Sequence, residues 1–119
     1  MIRTIQIGDK EVTFKSSAAL PHIYRRRFNR DIFIDMDSLQ KNARKTKDGG
    51  SMLDLESLEM FENLAYCFAK HADPSITDDV EGWLEQFETF DIYNILPELF
   101  NMWVQENKST SSLKKKNDK

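Results

Sequence analysis

Few side chains in this sequence have the types and spacing that metal binding would require. Cys67 and His71 lie four residues apart, which would place two ligands on one face of a helix. A closed zinc site needs four ligands, but the only other histidine is His22 and there is no second cysteine. Cys67 also falls beside an apolar helical stripe, where a small core hydrophobe is the simpler interpretation. The sequence therefore predicts no metal site.

Catalytic and cofactor motifs are missing as well. The chain has 20 Asp and Glu residues, and their positions on helix faces and at helix starts favour solvation and capping over acid–base catalysis. The phosphate-binding and nucleophile motifs GxGxxG, GxxxxGK[ST] and GxSxG do not occur. We expect a protein that is not an enzyme, with no catalytic residues and no cofactor.

One basic segment is the feature that would suit nucleic acid. Arg25, Arg26, Arg27 and Arg30 would follow a phosphate backbone if they shared one helix face. Consecutive arginines instead point around most of a helix. Residues 51–107 carry one basic side chain against thirteen acids, a net of −12 that repels nucleic acid. Pairing of the arginines with acidic helices is the preferred interpretation.

Aromatic side chains are concentrated between residues 83 and 103. Trp83 and Phe87 fit a buried helical stripe, whereas Phe90, Phe100 and Met102 do not, which predicts exposure for the latter three. Two interpretations stay open: the aromatics cover the N-terminal strands, or they form an apolar groove ringed by acids that holds a helix of another protein. The predicted partner-binding residues are Phe90, Tyr93, Phe100, Trp103, Arg25, Arg26 and Arg30.

The elements that must position these residues follow from hydrophobic periodicity. Alternating apolar residues around Gly8-Asp9 predict a β-hairpin over residues 2–15. Helical spacing predicts about five helices from residue 17 to 105, with caps at Asp31, Asp54 and Thr77. Residues 106–119 have the composition of a flexible basic tail. We therefore expect an α+β, mostly α fold, with the hairpin packed on the helices in one domain, 1–105, and a disordered C-terminal tail.

Composition restricts the compartment and the partners. A single cysteine and the lack of a signal-peptide pattern indicate a reducing cytosol, and no apolar run reaches the ~18–20 residues of a membrane span. Residues 1–50 carry eleven basic against six acidic side chains, a net of +5, while the next segment is strongly negative. This asymmetry would allow self-association through opposite patches.

Three blocks of sequence, taken in order, resemble the tail assembly chaperones of long-tailed bacteriophages, in the form common to phages and prophages of Gram-positive hosts. The blocks are Tyr24–Ile32, Phe61–Pro74 and Trp83–Trp103, and the hairpin also matches. Asn29 stands where the family usually has Gly. Asn also accepts a left-handed backbone, so the departure is compatible with the resemblance.

The resemblance implies a role in virion morphogenesis. Such chaperones bind the helical tape measure protein and keep it soluble in the host cell cytoplasm, and they are usually absent from the mature virion. Many are also made as a longer form by translational frameshift, whose extra domain recruits tail tube protein. The Lys114–Lys116 run is either the slippage site or part of a tail that only keeps the chain soluble. The alternatives are a small phage DNA-binding or regulatory protein acting through Arg25–Arg30, and a structural tail-completion protein.

Overall fold

The computed structural model describes residues 1–49 and 54–105, and the side chains of 1–42 and 54–105. Within the described residues, two strands are followed by six helices, of which the second and third are the longest. The bounds are β1 Ile2–Ile7, β2 Lys10–Lys15, α1 Leu20–Phe28, α2 Ile32–Gly49, α3 Leu55–Ala72, α4 Val80–Leu84, α5 Thr89–Tyr93 and a final helix α6 over 96–105. The predicted α+β, mostly α fold is confirmed. The predicted tail, 106–119, with Lys114–Lys116, lies outside the described residues.

The hairpin forms where alternation predicts it. β1 and β2 pair antiparallel with Ile7 opposite Lys10, so Gly8 and Asp9 make a two-residue turn. Gly8 has a φ of 62°, as the first central position of a type II′ turn requires. Ile5, Ile7 and Phe14 are buried on one face of the ribbon. A two-stranded ribbon is only marginally stable by itself, and this one is stabilised by packing on the helices.

The junction between α1 and α2 is set by two residues with short polar side chains. Asn29 ends α1 in the left-handed region at φ 57°, and its N–H donates to the carbonyl of Arg25. Asp31 then caps α2, because its Oδ1 accepts hydrogen bonds from the N–H groups of Phe33 at 2.8 Å and Ile34 at 3.3 Å. Both features were predicted from the sequence.

Helix α3 is the central element of the core. Asp54 caps it by accepting from the N–H of Ser57 at 2.8 Å. Its apolar positions, from Phe61 to Ala69, are buried against both strands and the other helices. Because α3 contacts elements from both ends of the sequence, the described residues share one hydrophobic core.

The last third of the domain differs from the prediction in two places. The cap of α4 is Asp79, which accepts from the N–H of Gly82, and not Thr77. The predicted final helix from Asp91 is two helices, because a turn at 94–95 separates α5 from α6. Pro97 lies in the first turn of α6, where the missing N–H has no intrahelical partner to lose. In the described part of the chain, no helix combines the length and apolar character needed to cross a bilayer.

Candidate interaction surface

An apolar depression with an acidic rim lies between α4 and α5, and we call it the acidic groove. It has a volume of about 260 Å³. Its lining combines carboxylates with apolar and aromatic side chains: Glu81, Leu84, Glu85, Phe87, Glu88, Thr89, Ile92 and Tyr93. Small-molecule sites usually have ~300–1,000 Å³, so this volume suits one or two side chains of a partner better than a cofactor.

The walls of the groove are fixed to the core. The hydroxyl of Tyr93 donates to Oε2 of Glu62 on α3 at 2.7 Å, and its ring lies 5.7 Å from that of Phe61. The hydrogen bond to Glu62 and burial raise the pKa of Tyr93 to about 12. On the opposite wall, the ring of Phe87 packs edge-on against buried Trp83 at 5.1 Å. The groove is therefore preformed by contacts with α3 and α4 and does not depend on a ligand.

The rim carries uncompensated negative charge. Glu81 on α4, Glu85 at its C-terminal end and Glu88 before the start of α5 are all exposed, so three carboxylates surround the depression. None of them forms an ion pair among the residues whose side chains are described. The ring of Phe90 is also exposed, on α5 and one residue after Thr89 of the groove lining. A surface of this kind suits an apolar helix that also carries basic residues.

The four predicted groove aromatics are placed in different environments. Phe90 is 70% exposed and Tyr93 lines the groove, whereas Phe100 is half-buried against the core. Trp103 is only 8% exposed, with ring contacts to Phe33 at 5.5 Å and Phe68 at 6.3 Å. Trp103, which was predicted as a partner-binding residue, therefore lies in the core.

The exposure predicted for Met102 is also wrong. Met102 is fully buried. It lies seven residues after Ile95 and three after Leu99, which is the helical spacing of the buried face of α6. The sequence contained this signal, because the buried face continues from the turn at 94–95.

A second apolar surface lies on the other side of Trp103. Phe33 is 55% exposed and packs on the Trp103 ring, and the adjacent Val104 is 47% exposed. We call these three residues the α2–α6 patch. Unlike the acidic groove, the α2–α6 patch includes no carboxylate. Its three side chains come from two helices.

Of the four arginines in the basic segment, two pair with acidic side chains and two have no acidic partner within the described residues. Arg25 and Arg26 are exposed, and neither has an acidic partner within the described residues. Arg27 lies over the Tyr66 ring at 5.4 Å and approaches Asp78 at 3.7 Å, which confirms pairing with the acidic half for this residue. Arg30 is engaged within the basic half. Only two of the four arginines are therefore available to follow a phosphate backbone.

Arg30 belongs to a buried polar cluster that sequence reasoning missed. Its guanidinium donates twice to Asp35, at 2.7 and 2.8 Å, and the hydroxyl of Tyr24 donates to the same carboxylate at 2.6 Å. Asp35 is only 2% exposed. Burial alone would raise the pKa of Asp35, but the bonds from Arg30 and Tyr24 and the charge of Arg30 outweigh burial and lower it. Through this contact Arg30 joins α1 to α2, although its side chain is still 45% exposed.

Cys67 and His71, the two residues with the spacing of metal ligands, both make structural contacts. Cys67 is buried in the core, and burial raises the pKa of its thiol to about 11. The Nε2 atom of His71 lies 2.7 Å from the hydroxyl of Ser17. Burial, Lys15 and the N-terminal amine lower the pKa of His71, which weakens it as a base toward that serine. Within the described residues, no three His, Cys, Asp or Glu side chains form a group suited to a metal ion.

Comparison with known proteins yields no relative: no family model, curated protein or solved structure matches this chain. The resemblance to phage tail assembly chaperones therefore stays a prediction. The residues and contacts of the acidic groove are the basis on which a function is inferred.

Proposed function

We propose that this chain is a phage tail assembly chaperone that binds an amphipathic, basic helix of the tape measure protein in the acidic groove. Two features together support the proposal. Phe90 is an exposed aromatic, and the acidic groove is a preformed apolar depression whose three rim carboxylates lack cationic partners in the described residues. The contact holds the tape measure protein in solution until tube subunits surround it.

The groove fits this mode of recognition physically. A helix that lies across α4 and α5 would insert one or two apolar side chains next to Leu84 and Phe87. Lys or Arg residues on that helix would face Glu81, Glu85 and Glu88. Charge of one sign around the rim also keeps empty grooves of different copies apart, which opposes aggregation of the free chaperone.

Co-expression with the tape measure protein encoded in the same genome tests the proposal. We expect the tape measure protein to become soluble and to co-purify with this chain. Phe90→Glu should abolish co-purification, because it places a charge on the exposed apolar surface, and the helical circular dichroism should stay unchanged because Phe90 is exposed. Phe33→Glu on the α2–α6 patch is the matched control, since it alters an exposed Phe elsewhere.

The outcomes separate three conclusions. Loss with Phe90→Glu alone supports α5, which forms one wall of the acidic groove, as part of the binding surface. Loss with Phe33→Glu alone moves the binding surface to the α2–α6 patch and leaves the chaperone function standing. A tape measure protein that stays insoluble with the unaltered chain contradicts the chaperone function itself.

A further inference from the structure

The outer edge of β1 is a row of backbone groups that have no partners among the described residues. Met1 and Ser16 exchange two backbone hydrogen bonds, each of 2.8 Å. Hydrogen-bonded pairs alternate along an antiparallel ladder, so the odd-numbered residues of β1 bond to β2. The N–H and C=O groups of Ile2, Thr4 and Gln6 therefore point away from β2, and no backbone partner for them exists among the described residues.

The two edges of the hairpin differ in their protection. On β2, the residues whose backbone faces outward are Glu11, Thr13 and Lys15, and strand β2 also packs against α3. On β1 they are Ile2, Thr4 and Gln6, which carry no charge, and Ile2 is 66% exposed. Folded proteins usually blunt a free edge with charges, proline or a bulge. β1 has none of these at its outward-facing positions, so its edge is open to a further strand.

We propose that this edge pairs with β1 of a second copy, giving a continuous four-stranded antiparallel sheet. In the register with Thr4 on the two-fold axis, Thr4 lies opposite Thr4 of the second copy and Ile2 lies opposite its Gln6. The three outward-facing residues of each strand then exchange about six backbone hydrogen bonds.

The register is self-complementary. The only charged side chain of β1 is Arg3, and in this register it lies opposite Ile5 of the second copy. No two charged residues are directly opposite, and the two Arg3 residues are diagonal neighbours about 8 Å apart. The side chains of Ile2, Thr4 and Gln6 are all exposed in the single chain, and pairing places the exposed Ile2 beside the stem of a Gln. The interface is isologous, so it closes at two copies and does not extend into a filament.

Cysteine cross-linking tests the register. In a hydrogen-bonded antiparallel pair the Cα atoms lie about 5.5 Å apart, within the range that a disulfide spans. Thr4→Cys should therefore give a covalent dimer under mild oxidation. Thr13→Cys is the matched control: it lies opposite Thr4 on the same exposed face, but two copies of it would be about 14 Å apart across three strand spacings. Native Cys67 is buried and does not compete.

Sedimentation of the full chain tests the dimer without a cross-link. Thr4→Glu should weaken the dimer roughly fivefold, because two carboxylates meet on the axis. Thr13→Glu loses the same Thr4–Thr13 hydroxyl contact of 3.0 Å and should leave the dimer intact. A chain that is monomeric from micromolar to millimolar concentration overturns the proposal. Cross-linking of Thr4→Cys no faster than that of Thr13→Cys also overturns it, as does equal weakening by both Glu substitutions.

Discussion

The Asp35 cluster supports the sharpest prediction about stability. Arg30→Met keeps the apolar stem of the side chain but removes the charge and both donors to Asp35. The carboxylate remains buried with Tyr24 as its only side-chain partner among the described residues. Lys41→Met is the matched control on α2, because Lys41 pairs with Asp37 at 3.0 Å on the open surface.

The expected magnitudes differ because the two carboxylates differ in exposure. Removing one partner of a fully buried ion pair costs ~3–5 kcal/mol. Arg30 is 45% exposed, so water can approach its place, and we expect a loss of about 2–3 kcal/mol in the free energy of unfolding. Asp37 is 62% exposed, and the control should lose less than about 0.5 kcal/mol. Tyr24→Phe removes one bond to the charged carboxylate and should cost about 2 kcal/mol.

The same substitution should also change how the free energy of unfolding depends on pH, and the direction of that change follows from the pKa of Asp35. In the unaltered chain the pKa of Asp35 is lowered, so its stabilising contribution is present above the unfolded pKa of about 3.9 and is lost as the pH falls through the folded pKa. In Arg30→Met, burial is opposed only by Tyr24, and the pKa of Asp35 should rise above its unfolded value. The folded variant then binds more protons than the unfolded chain, so the pH dependence of this group reverses and protonation stabilises the variant.

Urea unfolding of the three variants, followed by circular dichroism at pH 7 and at pH 4, measures both effects. The difference in unfolding free energy between Arg30→Met and the unaltered chain should be largest at pH 7 and should shrink toward pH 4. The reasoning is refuted if Arg30→Met costs no more than Lys41→Met, or if the difference is the same at both pH values.

Three further predictions concern the turn, the thiol and the groove. Gly8→Ala should lower the unfolding free energy by about 1 kcal/mol in a urea titration, because Gly8 has a positive φ of 62°; an unchanged midpoint contradicts this. With its pKa raised to about 11, Cys67 should resist iodoacetamide at pH 8 until denaturant is added, and mass spectrometry would reveal early labelling if this is wrong. Changing Glu81, Glu85 and Glu88 to Gln should weaken tape measure binding and its salt dependence without lowering the melting temperature; binding that stays equally salt-sensitive would exclude the rim.

Local patterns were sufficient to predict the elements whose ends are set by neighbouring residues. The hairpin, the left-handed end of α1 at Asn29 and the capped starts of α2 and α3 depend on side chains within a few positions. The cap of α4 depends on distant residues instead. The hydroxyl of Tyr66 donates to the carbonyl of Thr77, which would otherwise accept the first helical bond, and Lys70 pairs with Asp78 at 3.1 Å. These contacts from α3 keep residues 77–78 out of the helix, so α4 begins after Asp79.

In the acidic groove, too, short-range patterns predict some features and long-range contacts determine others. Periodicity predicts that Leu84 and Phe87 lie together and that acidic side chains surround them. It does not predict that Tyr93 turns toward Glu62, because that bond joins α5 to a helix 31 positions earlier in the chain. The burial of Asp35 was missed for a similar reason: a carboxylate on an apolar face looks unfavourable until Arg30 and Tyr24 are brought to it by the turn at Asn29.

Phe90 and Trp103 were both predicted to bind a partner. Their positions show how far the sequence alone can separate a surface aromatic from a core aromatic. Trp103 lies four residues after Leu99 and eight after Ile95, so helical spacing already assigns it to the buried face of α6. Phe90 precedes the buried Ile92 by two positions, which places it on the opposite side of α5. The turn at 94–95 separates α5, which carries Phe90, from α6, which carries Trp103. In the proposed function, the partner therefore meets α5, where Phe90 is exposed and Tyr93 lines the acidic groove, while the buried Trp103 holds α6 in the core.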